Sequence, residues 1–157
     1  TNTSQGDEIM VNDITSKLTQ VFGTSPRNIA THVMYCLPPN TMNGVAYAYI
    51  NHWLSVYSNE WCNYPSAQMH EIGHNLGFDH AAEGTEEYAD QSGMMGFSYS
   101  QDNGPIMCFN GAKSWQTDWY RTATKVITPT ATADANTCFN GPLYGIADHE
   151  VGNSTKT

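Results

Sequence analysis

Residues Met69–His80 read MHEIGHNLGFDH, and the reading of this stretch decides the reading of the rest. It holds His70, Glu71, His74, Gly77 and His80 in the order HExxHxxGxxH. His70 and His74 are four residues apart, so on a helix they lie one above the other on a single face. Two imidazoles placed in this way can hold one zinc ion with bonds of about 2.0–2.1 Å. Glu71 is rotated by roughly a third of a turn from His70. It therefore stands beside the metal rather than on it, where a general base for an attacking water belongs. Gly77 can take a positive φ, stop the helix and reverse the chain. The reversal returns His80 as a third ligand. Three protein ligands leave the fourth position of a tetrahedral site open, which marks a catalytic rather than a structural zinc site.

The chain of 157 residues is long enough for one domain with a real core. With 39% hydrophobic and 11% aromatic residues it is globular rather than disordered. Net charge is −9, and six Lys and Arg residues are too few for a phosphate-tracking surface, so nucleic acid is not an expected partner. The acidic balance also argues against anionic membranes, and no apolar run reaches transmembrane length. The polar start TNTSQGDE lacks a signal-peptide pattern and reads as a mature or trimmed chain.

Cys36, Cys62, Cys108 and Cys138 form no CxxC pair. An even number in a small acidic domain points to two disulfides and a secreted, extracellular protein. Three connectivities are open, and the preferred one is Cys36–Cys62 with Cys108–Cys138.

Outward from the motif, Pro65 opens the central helix, where its missing N–H has no partner to lose. Met69, Ile72 and Leu76 point away from the histidine pair and are expected in the core. Upstream, Asp7–Phe22 carries apolar residues at helical spacing and Gly23 ends it. Thr31–Leu37, Val45–Ile50 and Trp53–Tyr57 read as strands. A helix, short strands and a second helix describe a small mixed α/β layer. His32 and His52 have no ligand partner at motif spacing and are read as ordinary side chains. Downstream, Ala81–Asp90 is acidic; calcium is conceivable, but the alternating ligand spacing is missing, so a solvated face is expected. Asn110–Tyr120 reads as a helix with Trp115 and Trp119 packing on one face, and Pro142–Val151 as a strand. The Asp148-His149-Glu150 triple is read as surface rather than a second metal site.

At HEIGHNLGFDH followed by YADQSGMMG, and again at CFNGAKSWQTDWY, the sequence resembles the metzincin zinc endopeptidases, most narrowly the gametolysin-like family. The resemblance implies an α/β (α+β) zincin-like fold. Residues 1–80 form an upper part with a mixed sheet, a backing helix and the zinc helix. Residues 81–157 form an irregular lower part with a C-terminal helix, and a cleft runs between the two. It further implies His70, His74 and His80 as zinc ligands, Glu71 as the catalytic residue, and Met95, before Met94, as the methionine of the turn beneath the metal. Some metzincins carry a tyrosine two residues after that methionine. Here Phe97 stands there, so Phe97 and Tyr99 are candidates for the cleft wall and a fifth ligand is not expected. Family members begin with a strand, whereas this chain opens with a helix, so the sheet is expected to be one strand short. The expected activity is hydrolysis of extended protein or peptide substrates by a monomeric enzyme. A zinc amidohydrolase acting on small substrates is the alternative. A non-catalytic zinc module is disfavoured, since it has no use for Glu71.

Overall fold

The structure, a computed structural model, describes residues 3–96 and 108–124. Two compact units divide the chain, Thr1–Met107 and Cys108–Thr157.

In the first unit, helix α1 spans Thr3–Phe22, four residues earlier at its start than the apolar spacing predicts. Gly23, at φ +73°, closes it by donating its N–H to the Thr19 carbonyl at 2.9 Å. Three strands follow: β1 (Val33–Leu37), β2 (Ala46–Ala48) and β3 (Leu54–Ser58). Their order is β1-β3-β2, with β1 parallel and β2 antiparallel to β3. The sheet is thus mixed, as expected, with the last strand at its centre and β2 at an edge.

The alternation of side chains along the strands sorts the two faces. Tyr35, Leu37, Leu54 and Val56 form one buried cluster, against which Met10, Val11, Ile14 and Leu18 of α1 pack. The Tyr35 hydroxyl meets the Thr15 hydroxyl at 2.9 Å, which satisfies a polar group at this seam. Tyr57, from the opposite face of β3, packs with Cys62 and Ala67. All five residues of β3 are buried because both of its faces are covered.

A 3₁₀ segment, Asn59–Asn63, leads into α2 (Pro65–Asn75), the helix that carries the motif. A disulfide joins Cys36 of β1 to Cys62 in that 3₁₀ segment, as the preferred pairing requires. Its expected companion, Cys108–Cys138, has one partner outside the described residues, as do Phe97, Tyr99, the 142–151 strand and the Asp148-His149-Glu150 triple.

The helix α2 inverts one expectation. Met69, Ile72 and Leu76 are only partly buried. The buried positions are Ser66, Ala67, His70, Glu71, Gly73, His74 and Asn75. The polar residues of the motif are thus turned inward, and Met69, Ile72 and Leu76 lie on a partly exposed side.

In the second unit, helix α3 spans Gly111–Gln116, and the Asn110 side chain caps it by accepting the Lys113 N–H at 2.9 Å. It is shorter than expected because Asp118 takes φ +61° just beyond it. Trp115 and Trp119 therefore do not share a helical face. They are 64% and 54% exposed, against the expectation of core packing, and Trp119 makes a tilted contact with the Phe109 ring.

Candidate metal and active site

The site begins at the C-terminal end of α2. Asn75 is the last residue of α2, Leu76 is its C-cap, and Gly77 follows at φ +95°. The N–H of Phe78 reaches back to the Gly73 carbonyl and that of Gly77 to the His74 carbonyl, both at 2.9 Å. This pair of bonds is the Schellman arrangement, which needs a left-handed residue where Gly77 stands. The turn then delivers His80 opposite the helix face that carries His70 and His74.

The three rings converge. Centroids lie 5.0 Å apart for His70 and His74, 5.2 Å for His70 and His80, and 4.7 Å for His74 and His80. One ring nitrogen from each falls within 4.8 Å of the others. Among the described residues this is the group of three or more potential metal ligands that comes together. His32 and His52 stay out of it, and the His52 Nδ1 accepts the Leu54 N–H.

The hydrogen bonds of these rings decide which nitrogens face inward. His70 Nδ1–H donates to the Met94 carbonyl at 2.6 Å, and His74 Nδ1–H donates to the Phe78 carbonyl at 2.8 Å. A carbonyl only accepts, so Nδ1 is protonated in both rings and Nε2 carries the lone pair. Ligating histidines are oriented in this way. Burial, only partly offset by the Met94 carbonyl, pushes the His70 pKa down to about 4. The ring is therefore held in its neutral, ligating form. Donor type, tautomer and spacing all fit a zinc ion, and no acidic ligand is needed.

Glu71 lies alongside, 3% exposed. Burial pushes its carboxyl up to about 8, and among the described residues Oε2 has no hydrogen-bond partner. A carboxylate in that condition binds a proton readily, as a base working near neutral pH requires.

The segment after His80 packs beside the three rings. Met94 and Met95 are buried, at 0% and 1% exposure. The Met94 carbonyl orients His70, while the Met95 carbonyl takes the Ala81 N–H at 2.7 Å. The Asp90 N–H returns to the Ala81 carbonyl at 3.2 Å. Gly96 is obligatory on steric grounds, since a Cβ there would lie 1.7 Å from the Asp90 carbonyl oxygen. Tyr88 lays its ring 4.1 Å from that of His80 and 6.2 Å from that of His70. Burial, with Glu87 and Glu71 adding to it, raises its pKa.

A cavity of about 330 Å³ opens over these groups. His70, Glu71, His74, His80 and Tyr88 form one wall, and Val45–Ala48 of the β2 edge form the other. Edge and helix are tied together. The Asn75 side-chain amide donates to the Tyr49 and Leu54 carbonyls at 3.3 and 3.1 Å, and the Asn51 N–H donates to the His74 carbonyl at 2.9 Å.

Three contributors escape the sequence reading. Asn75 looks like a surface residue at a helix end. Glu87 is exposed, as expected of that acidic run, and in addition accepts a hydrogen bond from His80 Nδ1. Tyr88 was legible only as part of the resembling stretch. The signal available for all three was a polar or aromatic residue close to the motif.

A family model described as Gametolysin peptidase M11 matches residues 9–145. No curated protein and no solved structure matches the chain significantly.

Proposed function

The chain belongs to the gametolysin family of peptidases, and from that premise we propose that it is a zinc-dependent endopeptidase. The convergence of three histidine nitrogens beside a desolvated glutamate carries the reading. Bound zinc would supply a Lewis acid that polarises the scissile carbonyl and acidifies a water. His70, His74 and His80 hold it. Glu71 accepts the proton of the attacking water at its carboxylate and passes it to the nitrogen of the leaving amine. An extended peptide lies along the β2 edge as an added strand. Val45–Ala48 line the cavity along that edge. Met95 serves as the turn methionine, an apolar floor rather than a ligand. The 157 residues act as one catalytic domain and as a monomer. Among the described residues no helix is long and apolar enough to cross a membrane. The Cys36–Cys62 disulfide supports a secreted enzyme. Calcium has no built site among the described residues.

The test uses Glu71→Ala. Wild type should cleave an unfolded protein such as casein, lose that activity to a chelator and regain it with zinc. Glu71→Ala should bind zinc and cleave at least about a thousandfold more slowly, as expected for loss of both a base and its proton delivery. Full activity in the variant overturns the mechanism, and cleavage of small amides alone overturns the substrate class.

A further inference from the structure

The three histidines differ in what their Nδ1 atoms meet. For His70 and His74 it is a backbone carbonyl, fixed by the fold itself. For His80 it is the side-chain carboxylate Oε1 of Glu87. We propose that Glu87 is a positioning residue that fixes the ring orientation and tautomer of the third zinc ligand, an inference that rests on the zinc reading above.

The local backbone supports the role. Glu83 and Glu86 exchange N–H···O bonds at 3.1 and 3.2 Å, closing a tight turn in which Gly84 takes φ +63°. That closure sets Glu87 and Tyr88 side by side at its exit. Glu87 reaches the Nδ1 edge of His80, and Tyr88 covers the face of the same ring. The imidazole is thus held on an edge and on a face, with Nε2 directed toward the other two rings. Of the three ligands His80 needs this most, since it lies on the turn outside the helix. A carboxylate behind a ligating histidine also makes the imidazole a stronger donor to the metal. The Glu87 side chain is 64% exposed, so the pair adds little to folding by itself. Its effect is read through the metal.

The experiment measures zinc affinity of the full chain by competition with a chromogenic chelator, alongside thermal unfolding of the metal-free protein. Glu87→Ala should weaken zinc binding at least about tenfold and leave metal-free unfolding unchanged. Glu87→Gln keeps an amide oxygen that accepts the Nδ1 proton, so it should recover most of the affinity. Glu86→Ala removes the same charge one residue away and should bind zinc like wild type. Wild-type affinity in Glu87→Ala overturns the proposal. So does an equal loss in Glu86→Ala, which would show general attraction by the acidic loop, or a matching loss of metal-free stability, which would show a structural role. If wild type itself binds no stoichiometric zinc, the metallopeptidase reading fails first and this one with it.

Discussion

A Cβ placed on Gly77 would lie 2.7 Å from Asn51 Oδ1. The turn that ends the zinc helix and the loop that follows the edge strand are therefore in contact where one of them has no side chain. Gly77→Ala must bear a positive φ and push the Asn51 side chain aside, at a cost of about 1–3 kcal/mol. It should also weaken zinc binding, because the same turn carries His80. Gly23→Ala, at φ +73° with nothing within 4 Å, is the control. It should lose similar stability with unchanged zinc affinity. Chelator competition and denaturant unfolding on both variants separate the two effects. Equal zinc affinity in all three proteins would disconnect the turn from the site.

The Cys36–Cys62 bridge spans 26 residues and encloses β2 and β3. Loop-closure entropy assigns such a link about 3.5 kcal/mol. The Cys36→Ser, Cys62→Ser double variant should unfold at correspondingly lower denaturant in the metal-free state. A loss below about 1 kcal/mol would mean that the chain entropy argument does not describe this bridge.

Tyr57 is fully buried, and burial pushes its phenol up to about 12 from 10.0. The folded pKa lies above the unfolded one, so the neutral phenol favours the fold. That contribution is whole below pH 10 and is lost as pH rises through 12. At about 1.4 kcal/mol per unit it amounts to roughly 2–3 kcal/mol. The stability difference between wild type and Tyr57→Phe should shift against wild type by that much between pH 9 and pH 12. A difference that stays flat across this range would remove Tyr57 as a cause of alkaline unfolding.

How far the site was legible follows from the range of its interactions. The helix with His70 and His74, the glycine that ends it and the return of His80 are all written within twelve residues, where spacing alone fixes geometry. The strands and backing helix were legible for the same reason, since the alternate tyrosines in Val45–Ile50 and the helical spacing of Met10, Ile14 and Leu18 are local patterns. What escaped depends on closure in three dimensions. Glu87 meets His80 at the exit of a turn closed by Glu83 and Glu86, and no linear pattern announces that turn. Asn75 works by bonding carbonyls 26 and 21 residues upstream. Met69, Ile72 and Leu76 were placed in the core because aliphatic residues usually go there. The helix instead spends its buried face on histidine and glutamate, a trade that hydropathy cannot foresee. Trp115 and Trp119 failed for another reason: the left-handed Asp118 breaks the helical register that would have aligned them.

The carbonyl oxygen of His74 accepts two N–H groups at the same 2.9 Å, one from Asn51 and one from Gly77. A single atom is thus the common benchmark for the loop that follows β2 and for the return of the third histidine. Redesign of cleavage preference should respect that benchmark. Of the residues that line the cavity along Val45–Ala48, Ala46 and Tyr47 also pack against buried clusters, so Val45 and Ala48 are the ones open to exchange. A residue inserted between Tyr49 and Trp53 would shift the β2 edge against the three histidines, whatever side chain it carried.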